Sequence, residues 1–466
     1  RQVEETLARY ESFTPIIHKA VRKPENSNNR LTSRLDRILT NRLAGPVIFF
    51  VLMALVFQSI FAWASYPMDW IEGGIAQVSA LVNDILPEGW VRSLITEGLL
   101  AGLSGILVFV PQIAILFFLI SILEEVGYMA RAAFIFDRLM SWFGLNGRSV
   151  VALISGGACA IPAIMSARTI GNWKERLITI LVTPFISCSA RIPVYTVLIG
   201  FAVPAKMVWG IFNLQGLAFM GLYVLGILAA LLSALVMKWV LKTGERSFLM
   251  LELPQYRSPV LRNVGLTVWE KVRAFVVEAG KIIMVISLVL WVLSSYGPPG
   301  KMEAAERAAE EFAIQNNMEA AAAADFSASR RIEASWAGHL GKWIEPAIQP
   351  LGFDWKIGIA LITSFAAREV FVGTMATIYS IGSAADDETT IRKRMALELR
   401  PDTGLPVYSV ATSFSLLLFY VFAMQCMSTL AVVRRETGSW KWPAVQFVFM
   451  TALAYFSSLL VYQVMS

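Results

Sequence analysis

Cysteine and histidine are nearly missing from this chain, with three of the first and two of the second among 466 residues. Three cysteines with no close pair exclude a disulfide framework, and the lack of any C-x-x-C unit removes the usual apparatus of thiol–disulfide exchange. The two histidines, His18 and His339, fall outside every long apolar run, which argues against bis-histidine haem and against a histidine-rich metal site. Charged residues are also few, 16% of the chain against 56% hydrophobic, and the mean hydropathy is +0.60. Soluble domains carry about 25% charged residues, so this scarcity excludes that class. The net charge of +6 calls for no nucleic acid, because the basic residues sit beside apolar runs, where they orient a chain in the bilayer and meet anionic headgroups. No secretory signal is visible, and the chain, which begins at Arg1, reads as a fragment of something longer.

What is present instead is a set of apolar runs approaching the roughly 20 residues needed to cross a bilayer. The class expected is an all-α, polytopic helical membrane protein. One stretch, Ser155–Tyr195, is apolar enough for the membrane yet interrupted by Gly156, Gly157, Pro162, Pro184 and Pro193. Broken backbone at membrane depth is tolerated only where it is buried in protein or lines a polar cavity, and paired broken helices mark transporter binding sites. The pattern Cys159-x8-Arg168-x2-Gly171-x-Trp173-Lys174 recurs as Cys426-x8-Arg435-x2-Gly438-x-Trp440-Lys441, at a constant offset of 267 positions. That is an internal repeat, another habit of transporters.

Along the chain, spans are expected at about 46–66, 98–124 with an interruption at Pro111, 214–241, 275–296, 355–380, 408–433 and 443–464, with broken segments at 149–170 and 175–202. Arg34, Arg37 and Arg42 before the first span place the N-terminus in the cytoplasm. The organisation expected is a cytoplasmic junction (1–45), a first repeat (46–170), a core membrane region (171–245), a basic cytoplasmic loop (246–273) and a second repeat (274–466). The second repeat carries an acidic, Ala-rich extramembrane insert at 301–345 and a polar loop at 383–406.

Moving a divalent cation through hydrocarbon means replacing its hydration shell with fixed ligands that still let go. Sulfur suits borderline and soft metals, carboxylate and carbonyl oxygen harder ones. Counted from the nearest charged residues at ~1.5 Å per residue, Cys159 and Cys426 lie about 12–14 Å deep and Cys188 roughly 20 Å, so all three can meet near the midplane. Each could equally be a small buried hydrophobe. Ser155, Ser187 and Met165 sit among the breaks, and Met427 follows Cys426; methionine is more often adaptable packing than a ligand. Glu124 and Glu125 end a span, where they could simply face water, whereas Glu369 falls deep in its span beside Arg368 and is the stronger candidate. An interhelical ion pair is the alternative for those two.

The segments GACAIPAIMSART, TPFISCSARIPVY, LEEVGYMARAAF, AAREVFVGT and QCMSTLAVVRRETGSWKWP resemble, in the same order, the membrane domain of FeoB-type ferrous iron transporters. The resemblance runs from about Arg34 to the C-terminus, and residues 1–42 resemble the junction with that family's cytoplasmic domains. It implies Fe(II) uptake as substrate across the bacterial inner membrane, two Gate-type repeats around a core, Gate cysteines at Cys159 and Cys426, a core cysteine at Cys188, and acidic motifs at Glu124, Glu125 and Glu369. It implies as partners the lipid bilayer, a G domain, a small cytoplasmic accessory protein and a homo-oligomer. One departure is large. The family carries an N-terminal G domain, but no G-x-x-x-x-G-K-[ST] phosphate loop occurs here, and Gly144–Arg148 is too short and lacks lysine. These residues are therefore expected not to act as an enzyme; GTP binding and hydrolysis belong to a G domain that was removed or precedes them. Three other functions stay open: a nucleoside-type permease of the same Gate fold, a membrane thiol oxidoreductase, and a receptor or scaffold without transport.

Overall fold

The computed structural model describes residues 35–87, 89–204, 206–208, 212–241, 256–315, 320–365, 368, 370–378, 406–424 and 426–466. The junction before residue 35, the loop at 383–405 and Glu369 lie outside the described residues. The architecture is all-α. Its helices are α1 (Ala44–Ile85), α2 (Trp90–Glu125), α3 (Tyr128–Trp142), α4 (Ser149–Gly156), α5 (Ala160–Ser166), α6 (Trp173–Val182), α7 (Ile192–Ala202) and α8 (Leu214–Val240). They continue with α9 (Leu261–Ser295), α10 (Lys301–Gln315), α11 (Ala320–Ala334), α12 (Trp336–Ile348), α13 (Trp355–Thr363) and α14 (Val370–Ile378). The last three are α15 (Val410–Phe422), α16 (Met427–Thr437) and α17 (Lys441–Met465). A minimal antiparallel pairing, β1 (Met207–Val208) with β2 (Phe212–Asn213), joins α7 to α8. Six helical stretches among the described residues are long and apolar enough to cross a membrane.

The structure departs from the expected spans in four places, one of them the break between α15 and α16 within the span expected at 408–433. The span expected at 46–66 is only the start of a 42-residue helix, α1, which continues through Pro67 to Ile85. A proline inside a helix removes one hydrogen bond and favours a kink, but it does not force the chain to turn. The basic connection expected as a loop at 246–273 is helical from Leu261, because α9 runs unbroken from there to Ser295. The span expected at 355–380 is two short helices, α13 and α14, so the second half of the chain contains a further broken segment. At Pro111 the helical pattern lapses for one residue, Val108, and α2 carries on to Glu125. Gly127, at φ 87°, then supplies the left-handed turn into α3 that a side chain would resist.

Buried packing joins these pieces. α1 and the first part of α9 lie against α2, α15 packs on α17 and on α7, and α12 packs on α13. The insert is tied down as well: α10 and α11 pair, with Phe312 stacked on Phe326, and Ser329 Oγ donates to the carbonyl of Ile378 in α14. At the start of the described chain, Arg131 on α3 is fully buried; it reaches Asp36 at 3.0 Å and lies 4.0 Å over the Tyr256 ring. Burial first, then the hydrogen bond to Asp36, push the Tyr256 phenol up to about 12, so it remains a donor. This cluster fastens the approach to α1, α3 and the approach to α9 to one another.

Candidate functional site

Each of the three cysteines stands where a broken helix restarts. α4 ends at Gly156, the chain passes through Gly157 and Ala158, and Cys159 is the extended residue before α5 (φ −156°, ψ 134°). Cys426 stands in the same way before α16 (φ −154°, ψ 100°). Cys188 precedes the single 3-10 turn Ser189–Arg191 that leads into α7. The prolines fit this plan: Pro162 and Pro193 fall in first turns, where the missing N–H is no loss. The two half-helices α5 and α16 pack against each other, so the repeat seen in the sequence is a repeat in space.

All three cysteines line one internal chamber of about 110 Å³, room for several water molecules. Its walls are mostly apolar, with Phe109, Ile113, Leu116, Ile161, Phe275 and Ile283; its polar groups are Gln112, Ser189, Ser428, Thr429 and Arg368. Among the described residues no three His, Cys, Asp or Glu side chains are close enough to hold one ion together. The cysteines thus share a chamber without forming a ready-made metal cage, and none is in a disulfide.

Arg368 was not singled out as a chamber residue by its sequence context. It is 5% exposed, and its Nη1 donates to Cys188 Sγ at 3.9 Å. Its place follows from a second, looser correspondence: Thr183-x-Phe185 followed by Ala190-Arg191 matches Thr363-x-Phe365 followed by Ala367-Arg368, with three residues fewer between. The shorter version has no counterpart of Cys188 and brings its arginine to the chamber instead. Arg191, in the longer version, is fully buried and turned to the broken backbone. It donates to the carbonyls of Pro184 and Phe185 and to Ser187 Oγ, each at 3.2 Å. Those carbonyls end a helix inside the protein and would otherwise be orphaned. Gly226 of α8 passes close by; a Cβ there would meet the Phe185 carbonyl at 2.9 Å.

The other expected site residues are dispersed. Ser187 is committed to Arg191 and to Tyr195, whose hydroxyl is 3.1 Å away. Ser155 donates to the Val151 carbonyl and faces Phe49 and Met53 of α1, not the chamber. Met165 is buried in an apolar cluster beside Cys159, and Met427 opens α16 at 38% exposed, off the chamber. Glu124 is exposed, and Glu125 accepts from the backbone N–H of Val260, so the pair ends α2 away from the cysteines. The converse omission is Gln112, a lone polar residue in the apolar run FVPQIAILFF, one residue past a proline. That isolation was the available signal.

The two repeats are also linked by charge. Glu436, 7% exposed, accepts from Arg168 Nε at 2.8 Å and from Arg176 Nη2 at 2.9 Å. Arg168 and Arg176 belong to the first repeat and its sequel, Glu436 to α16.

Broken helices that pack side by side at an internal chamber, within a bundle of apolar spans, define a multi-pass α-helical membrane protein built from two related units. Two family models match: Gate, described as nucleoside recognition, over residues 106–202 and 276–440, and the C terminus of ferrous iron transport protein B over 219–271. The chain belongs to the Gate family, and within it resembles the membrane domain of ferrous iron transport protein B. Among similar proteins, the Fe(2+) transporter FeoB of Leptospira interrogans (serovar Lai) is 45% identical over 449 residues, 96% of this chain and 62% of the relative. The Staphylococcus aureus (strain MSSA476) Fe(2+) transporter FeoB is 36% identical over 456 residues, 96% of this chain and 61% of the relative. An Fe(2+) transport protein A/Fe(2+) transporter FeoB fusion protein of Porphyromonas gingivalis is 37% identical over 472 residues, 98% of this chain and 54% of that protein. The chain therefore spans less than two thirds of the length of these relatives. No solved structure matches it.

Proposed function

We propose that these residues form the membrane domain of a ferrous iron transporter that carries Fe(II) across the bacterial inner membrane into the cytoplasm. The observation that supports this most directly is the convergence of Cys159, Cys188 and Cys426, from three separate helix breaks, on one chamber. Thiol sulfur suits a borderline ion such as Fe(II), and a chamber without a finished cage binds weakly enough to release it. In this reading the chain is a transporter and not an enzyme. GTP hydrolysis, which the family resemblance implies, is assigned in this proposal to a G domain outside these residues. The fused relative supports a small accessory partner. The test is Fe(II) flux into anaerobic proteoliposomes containing the full-length protein, with uridine uptake alongside because of the nucleoside description of the Gate model. Iron flux without uridine uptake is expected; uridine uptake without iron flux would reverse the assignment.

The N-terminal side of α1 and the segment before α9 are cytoplasmic in this proposal, on the strength of Arg34, Arg37 and Arg42 before α1 and of Arg257 and Arg262 beside Ser258. A cysteine introduced as Ser258→Cys should resist a membrane-impermeant thiol reagent in intact cells and react once the membrane is opened. Labelling from outside would invert the topology.

A further inference from the structure

A second, larger cavity of about 570 Å³ borders the cysteine chamber, and Gly105, Phe109, Gln112, Ser189 and Ala190 line both. Its outer wall comes from α1 and includes Asp69 and Glu72, one helical turn apart and both exposed. Asp69 is 25 residues beyond Ala44, so at 1.5 Å per residue it stands roughly 38 Å along α1 from the start of the helix. An acidic vestibule thus adjoins the thiol chamber, and Gln112 stands at the boundary.

The orientation of Gln112 follows from its hydrogen bonds. Ser189 Oγ donates its single proton to the carbonyl of Ala158, at 3.1 Å. It must therefore accept from Gln112 Nε2, which lies 2.9 Å away. The amide nitrogen is thereby held, and the amide oxygen is turned the other way. Gln112 is 9% exposed, and among the described residues nothing donates to its Oε1. The oxygen is thus left open toward the cavities that Gln112 lines, free to accept from water or to meet an ion. Here it borders two cavities, one acidic and one lined by sulfur. Ser189 and Ala158, which set the amide, are the immediate neighbours of Cys188 and Cys159.

We propose that Gln112 Oε1 is a transit ligand for a divalent cation, the oxygen at which the ion leaves the water and carboxylates of the Asp69–Glu72 vestibule and enters the thiol chamber. The proposal rests on the reading of the chain as a cation transporter. A neutral carbonyl oxygen replaces one water of hydration without trapping the ion as a carboxylate would, and it is fixed in advance by the Ser189–Ala158 relay. Sulfur then takes over further in, so the ligand set changes from hard to soft along the path.

The experiment uses the full-length protein in proteoliposomes, with Fe(II) and Mn(II) flux measured in parallel under anaerobic conditions. Gln112→Leu removes the oxygen at nearly constant volume and should lower Fe(II) flux about tenfold, the loss expected when one ligand worth about 1.4 kcal/mol is missing. Gln112→Glu keeps an oxygen but adds charge and gives up the amide donor to Ser189; it should keep more Fe(II) flux than the leucine variant and raise the Mn(II)-to-Fe(II) ratio. Asp69→Asn combined with Glu72→Gln should raise the half-saturating Fe(II) concentration and lower flux at subsaturating iron. Normal flux in Gln112→Leu, with Cys159→Ser impaired in the same assay, would overturn the role of Gln112 alone. Equal losses in the leucine and glutamate variants would make Gln112 a packing residue, and an absence of iron flux in the unaltered protein would remove the transporter reading itself. Should the leucine variant not fold, an unchanged metal ratio in Gln112→Glu would be enough to reject the proposal.

Discussion

Serine in place of Cys159, Cys188 or Cys426 is expected to lower Fe(II) flux by about tenfold in each case, with double variants losing little more than the worse of their singles. The substitution keeps the shape of the side chain and exchanges a soft sulfur for a hydroxyl that stays protonated near neutral pH. The three residues line one chamber, yet no ready-made cluster of ligands exists among the described residues. An ion therefore meets the sulfurs in sequence or in changing pairs, and passage is governed by the poorest step. Residues that act as a unit are non-additive for the same reason. Folding should hardly change, because the cysteines stand in extended residues between helices whose packing comes from their neighbours. Flux and yield of folded protein are measured together. Alanine variants that keep full flux at all three positions would leave the cysteines as packing and end the ligand role.

Replacing Arg191 by leucine should cost about 2–4 kcal/mol of stability, the larger structural effect of the two. The guanidinium is fully buried, and its three hydrogen bonds hold the carbonyls of Pro184 and Phe185 and the hydroxyl of Ser187. Leucine fills part of the volume and returns none of the donors, so two carbonyls at a helix break lose their partner. Removing the charge also removes its desolvation cost, which is why the figure stays below that for breaking a fully buried ion pair. Lysine should recover little, since one ammonium cannot span the same three acceptors. Thermal unfolding in detergent reads the effect. An unaltered midpoint in Arg191→Leu would mean that water or the backbone can satisfy the break unaided.

The broken segments were legible in the sequence because glycine and proline leave few alternatives within an apolar run, and the cysteine repeat was legible because its spacing survives without a gap. Counting residues from charged boundaries brought Cys159, Cys188 and Cys426 to a common depth, and the structure brings them to a common chamber. Helical phase was not legible. Ser155 and Met165 lie close to Cys159 in sequence yet face other neighbours, and only the packing of α1 and α16 decides which side of a half-helix meets the chamber. Proximity in sequence to a break therefore overstated the candidacy of Ser187 and Met427 also. The first span is expected to end at about 66, whereas α1 continues through Pro67 to Ile85. Arg368 and Gln112 were missed as chamber residues for opposite reasons. The first looked like half of an ion pair with Glu369, which lies outside the described residues, and the second had no motif around it.

The contacts of Glu436 give the pair of repeats a stiff end and a soft end. Where α16 nears its finish, two arginines grip one buried carboxylate. Where it starts, at Cys426, the chamber is walled largely by apolar side chains. Prying the half-helices apart at the charged end would break several charge-assisted hydrogen bonds and strand a carboxylate away from water, whereas parting them at the cysteine end only slides greasy surfaces past each other. The charged end therefore resists separation more strongly than the cysteine end.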